Sequence, residues 1–155
     1  MDSEFKSLLA KVEVLKKSPD FDLSLEEDLS LAIMNLVSLE EHFFMTSQKT
    51  AKPEYLKLMD TTREMRIKLL AKMIPQHEGE TWCISKHLLA ATMRLIEVGT
   101  KSKKPEYFDY AYQLYSLFWA LRLKLIQLPQ IKSAVKNESM TLQDITTQLV
   151  NCCRE

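Results

Sequence analysis

Residues 29–44 read LSLAIMNLVSLEEHFF, and this stretch decides the predicted fold. Its apolar residues recur every three or four positions, as they do on one face of an amphipathic α-helix. At about 100° per residue, Glu40 falls within the same stripe as Ile33 and Phe43. A charge on the face that packs into a core is costly unless it is paired or serves a ligand. The role of Glu40 is therefore the central question about this chain.

The same periodicity continues on both sides of this stretch and indicates six helices. The predicted helices cover approximately residues 3–17, 24–48, 53–73, 80–98, 105–128 and 141–152. Ser24 is the expected N-cap of the second helix, because glutamates follow it in the arrangement of a capping box. Gly99 is the expected end of the fourth helix. No segment has the sustained alternating pattern of a strand.

Short predicted loops make consecutive helices antiparallel neighbours. The expected fold is all-α, with a four-helix-bundle core built from two antiparallel αα-hairpins and additional N-terminal and C-terminal helices. A chain of 155 residues has the length of one ordinary domain. We therefore expect a single domain over residues 1–155, with its core at about 24–128 and flanking helices at about 3–17 and 141–152.

A short motif occurs twice along the chain. Lys52-Pro53-Glu54-Tyr55 opens the third predicted helix, and Lys-Pro-Glu-Tyr at residues 104–107 opens the fifth. One interpretation is that the two hairpins arose by internal duplication. The alternative is that Pro-Glu is simply a common helix opening.

Composition limits the classes of function. The formal net charge is zero, with 21 basic and 21 acidic residues, which disfavours nucleic-acid binding. The basic residues that such a function would use are Lys49, Lys52, Lys57, Lys101, Lys103 and Lys104. Two glycines are too few for a phosphate-binding glycine loop, and no cofactor is predicted. No signal peptide, membrane span or disulfide framework is evident, so we expect a cytoplasmic protein.

Three arginines also fall within apolar stripes, namely Arg63, Arg66 and Arg122. In an antiparallel hairpin Glu40 faces about residues 60–63, which makes Arg63 its natural partner and places Arg66 within a turn. The favoured interpretation is a structural network that sets how the helices pack. The alternative is a pocket for a phosphate or a nucleotide-like anion, with the three arginines as donors and Tyr112 or Tyr115 assisting.

A weak metal-binding pattern lies at the start of the fourth predicted helix. Glu80, Cys83 and His87 share one helix face at spacings of i, i+3 and i+7. Cys and His four residues apart can both bind zinc. The alternative is an exposed polar face, since the chain lacks the paired ligand motifs of structural zinc sites.

The fifth predicted helix, from Pro105 to Leu128, is apolar and aromatic around most of its circumference. Such a helix is buried on most sides, either by the flanking helices or by a second copy of the chain. The leading prediction is a non-catalytic cytosolic interaction module that forms a dimer through this helix. The alternatives are a bundle that binds a small anion, with enzymatic activity, and more weakly a nucleic-acid-associated protein.

Overall fold

The computed structural model describes residues 10–14, 17–19, 21–74 and 80–124, which are largely helical. Helix α1 is described over residues 10–14 and is followed by α2 (Leu23–Thr50), α3 (Glu54–Met73), α4 (Glu80–Ser102) and α5 (Glu106–Arg122). None of these residues forms a strand, so the predicted all-α class is confirmed. The predicted helix at 141–152 and residues 125–128 of the fifth predicted helix lie outside the described residues.

The N-cap of helix α2 lies two residues before the predicted cap. Asp22 has an extended backbone, and its carboxylate accepts a hydrogen bond from the amide of Leu25 at 3.2 Å. Its carbonyl accepts from the amide of Glu26 at 3.0 Å, which is the first intrahelical bond. The prediction of Ser24 as the N-cap is therefore wrong, because an aspartate just upstream satisfies the free amides of the first turn.

The two Lys-Pro-Glu-Tyr copies adopt the same turn. The residue before each copy is left-handed, with φ of 54° at Ala51 and 55° at Lys103. Each proline then takes right-handed helical angles at the start of the next helix. In both copies the tyrosine amide donates to the lysine carbonyl at 3.4 Å. The sequence repeat is therefore also a repeat of local structure.

Replacing Ala51 with glycine is expected to raise the free energy of unfolding by about 0.5–1 kcal/mol, because only glycine adopts a left-handed conformation without steric cost. Urea denaturation followed by circular dichroism measures the change. Ala32→Gly is the matched control, since Ala32 is exposed inside α2. That variant should lose about 1 kcal/mol. A loss of stability in both variants would contradict the strain assigned to Ala51.

Gly99 does not end α4, which continues to Ser102. The glycine is buried, and a Cβ atom built at this position lies 3.0 Å from the ring atoms Cε1 and Cζ of Phe108. The predicted helix stop is therefore wrong. The missing side chain instead allows the Phe108 ring of α5 to lie directly against α4.

The helices pack in pairs around one core. Helix α2 packs on α3, α4 packs on α5, and α2 also contacts α4. The largest fully buried side chains include Ile33, Leu70, Leu89, Phe118 and Trp119. Within the described ranges, no helix has both the length and the apolar character needed to cross a bilayer.

Candidate functional site

Glu40 of α2 and Arg66 of α3 form a buried ion pair between the two helices. Arg66 donates from Nε to Oε1 of Glu40 at 2.7 Å and from Nη2 to Oε2 at 3.3 Å. The side chains are 12% exposed for Glu40 and 7% exposed for Arg66. Two parallel bonds between planar groups fix the orientation of both helices as well as their separation. The predicted buried ion pair is confirmed, but Arg66 holds the buried position that the loop length favoured for Arg63.

Arg63 extends this pair to the surface. Its Nε donates to Oε2 of Glu40 at 3.1 Å, and its Nη1 donates to Oδ1 of Asp60 at 3.4 Å. The side chains of Arg63 and Asp60 are 44% and 66% exposed. The sequence interpretation missed Asp60, although its spacing of three residues from Arg63 on a helix is a usable signal. We call Glu40, Asp60, Arg63 and Arg66 the Glu40 cluster; it contains two positive and two negative groups.

Arg122 does not join the Glu40 cluster. It donates from Nε and Nη2 to Oε2 of Glu26 at 3.0 and 2.9 Å, and its guanidinium lies 5.9 Å from the ring centroid of Phe21. Glu26 precedes Glu40 by 14 residues on α2, which corresponds to about 21 Å along the helix. The structure therefore places the predicted anion-binding arginines in two separate ion pairs and not around one pocket.

Tyr115 belongs to the Arg122 side of the molecule. Its hydroxyl lies 2.7 Å from Oγ of Ser30, which itself donates to the carbonyl of Glu27 at 2.7 Å. Because a serine hydroxyl has one proton, Tyr115 is the donor to Ser30. Ser30 lies ten residues before Glu40 on α2, about 15 Å away along the helix axis. Tyr112 is 37% exposed on the first half of α5.

The proposed metal ligands do not converge. Glu80, Cys83 and His87 are all exposed on the first two turns of α4. Glu80 and His87 are separated by about 10 Å along a helix, which is too far for one ion to bind both. Across the ranges 10–14, 17–19, 21–74 and 80–124, no three His, Cys, Asp or Glu side chains are placed to hold a metal ion.

A second polar contact joins α2 to α4 beside an open groove. Arg94 donates to Oγ of Ser38 at 3.1 Å and pairs with Glu41 at 3.6 Å, and both charged side chains are about half exposed. The groove is about 760 Å³ in volume. It is lined by Asn35, Ser38, Leu39, Glu41, His42, Phe44, Met45, Lys49 and Arg94. This contact shows that α2 supplies polar partners to three other helices.

Comparisons of the chain with protein-family models, with curated proteins and with solved structures each found no match. The polar groups of the described residues hold helices together, since the carboxylates of Glu26, Glu40 and Glu41 each pair with an arginine of another helix.

Proposed function

We propose that this chain is a non-catalytic cytosolic interaction module that forms a homodimer through the start of α5. One observation carries the proposal. Phe108, Tyr110 and Tyr112 are 43%, 51% and 37% exposed, whereas Phe118 and Trp119 of the same helix are fully buried. Aromatic residues are enriched in protein interfaces because each offers a large rigid area. The exposed half of α5 therefore has the composition of a contact surface.

We further infer that the core is a four-helix bundle of two antiparallel hairpins, as the sequence predicts. Loops of three residues, 51–53 and 103–105, connect the two packed helix pairs. Glu26 of α2 contacts Arg122 of α5, and Ser30, which comes later on α2, contacts Tyr115, which comes earlier on α5. This order supports opposite directions for α2 and α5. In such a bundle both loops lie at the same end.

Two of the exposed aromatic residues, Phe108 and Tyr112, continue a buried stripe. Phe108, Tyr112, Tyr115 and Trp119 follow one another at spacings of three or four residues on α5. The later residues of this stripe pack in the core, where the Tyr115 and Trp119 ring centroids are 6.2 Å apart. Because this stripe is buried at one end of α5 and exposed at the other, we infer that a second copy of the chain covers the exposed end.

The balance of charge in the Glu40 cluster supports an internal role for these residues. Each arginine proposed as an anion donor already binds a carboxylate of the chain. An added anion would have to displace that carboxylate, which is held at the optimal distance for a charge-assisted bond in the case of Arg66. Anion binding with enzymatic activity thus stays a prediction without an observation in its favour.

Replacing Tyr112 with lysine is expected to raise the dimer dissociation constant by about tenfold or more, because the interface would lose the contact area of this tyrosine and gain a charge. Sedimentation equilibrium across the micromolar range measures the constant. The control variant replaces Leu25 and Met65, which are exposed elsewhere, with lysine and should dimerise as the parent does. A parent protein that is monomeric throughout would contradict the proposal.

A further inference from the structure

The repeated turn is longer than the Lys-Pro-Glu-Tyr motif itself. Residues 49–55 read KTAKPEY and residues 101–107 read KSKKPEY. In each copy a further lysine therefore lies three residues before the lysine of the motif. The small residues at corresponding positions two places earlier, Ser47 and Gly99, are both buried. Together with the matching backbone angles, these correspondences make the two loops equivalent in sequence and in local structure.

The inferred bundle brings these two loops to one end of the molecule, which we call the loop end and define as residues 44–58 and 97–110. It contains six lysines, all exposed: Lys49, Lys52, Lys57, Lys101, Lys103 and Lys104. Four acidic residues lie among them, namely Glu54, Glu97, Glu106 and Asp109, and Glu97 pairs with Lys101 at 3.6 Å. The loop end therefore has a net charge of +2 in a chain whose total is zero.

The loop end also carries exposed apolar side chains on α2, α3 and α4. They are Phe44, Met45, Leu58 and Val98. At 1.5 Å per residue each lies within about 9 Å of the end of its helix. The loop end thus combines positive charge with uncovered apolar area, and this combination is typical of a surface that binds another molecule.

We propose that the loop end is a docking surface for an acidic protein segment that carries apolar side chains, and that the two equivalent loops bind it together. The inference rests on the proposed role as an interaction module and adds a partner class to it. Charge complementarity supports an acidic partner, since a net positive surface attracts carboxylates. The basic side chains are all lysines mixed with acids, which suits a protein surface better than nucleic acid, whose recognition favours arginine and a continuous basic stripe.

The test uses a fluorescent synthetic peptide of repeated Glu-Glu-Leu-Phe and measures its binding to the full chain by fluorescence anisotropy. One variant carries Lys49→Glu with Lys52→Glu, and a second carries Lys101→Glu with Lys104→Glu. We expect each to weaken binding by about tenfold, and the two together to abolish it, because both loops contribute. The matched control carries Lys68→Glu with Lys72→Glu on α3, which are equally exposed lysines outside the loop end.

Equal loss of binding in the control would overturn the proposal, because it would show attraction to charge anywhere on the surface. Tighter binding to phosphatidylserine vesicles or to single-stranded RNA than to the peptide would overturn it in favour of those partners. Sedimentation of the same variants tests the dimer separately from peptide binding, since Tyr112 is unchanged in all of them. A variant that dimerises normally and has lost peptide binding supports the docking surface. A parent protein that is monomeric and still binds the peptide contradicts the proposed dimer but not the docking surface.

Discussion

Replacing Glu40 with alanine is expected to lower the free energy of unfolding by about 3–5 kcal/mol, because it leaves the nearly buried guanidinium of Arg66 without its carboxylate. Arg66 is only 7% exposed, and two of its hydrogen bonds end on Glu40. Its positive charge would then lie in an apolar environment between α2 and α3. Chemical denaturation with the parent and the variant under the same conditions measures the difference.

Two further variants show whether the loss comes from the unpaired charge. Glu40→Leu combined with Arg66→Met should recover most of the stability, because apolar side chains of similar volume replace a buried pair at little cost. Glu41→Ala should lose less than about 1 kcal/mol, since its pair with Arg94 is solvent-exposed. A loss below about 1 kcal/mol for Glu40→Ala would place the pair energetically at the surface and contradict the burial argument.

Replacing Trp119 with alanine is expected to lower the free energy of unfolding by about 3–5 kcal/mol through loss of buried area and the cavity left behind. Trp119 is fully buried, and its ring centroid lies 5.7 Å from that of Phe118 and 6.2 Å from that of Tyr115. The remaining aromatic rings cannot fill the space of an indole without leaving their own positions. Thermal and chemical denaturation both report the change.

The indole nitrogen of Trp119 provides a finer test. Among the residues that the structure describes, Nε1 of Trp119 is buried without a hydrogen-bond partner. Trp119→Phe therefore removes a costly unpaired donor along with some apolar area, and should lose less than half as much as Trp119→Ala. Met65→Ala is the control, because Met65 is 46% exposed on α3 and its loss should change stability by less than about 1 kcal/mol. Equal losses for both Trp119 variants would indicate that the indole N–H is satisfied.

The periodicity of apolar residues was sufficient to predict the helices. The predicted second, third and fourth helices overlap α2, α3 and α4 over almost their full lengths. Glu40 within the stripe of α2 also predicted pairing with arginine on the next helix, because a short loop between antiparallel helices sets which residues face each other. The loop length favoured Arg63, whereas the buried partner is Arg66, one turn further along α3. These predictions depend on spacing along one helix or across one short loop.

Other residues could not be placed in the same way. Arg122 has a helical spacing that indicates an inward position, but its partner Glu26 is 96 residues away in the chain. Gly99 looks like a helix end in the sequence, yet its role depends on the Phe108 ring of a different helix. Glu80, Cys83 and His87 share one face of α4, but their side chains do not come close enough together to bind one metal ion.

The all-α class, the approximate helices and the pairing of Glu40 with arginine on the next helix can be read from the order of the residues. These follow from local forces, since side-chain period and loop length act over a few residues. Three features depend instead on how the helices pack: Arg122 pairs with Glu26, Gly99 accommodates Phe108, and the aromatic stripe of α5 is buried at Trp119 but exposed at Tyr112. Those outcomes depend on which surfaces of distant segments meet, and helical period carries no information about the partner.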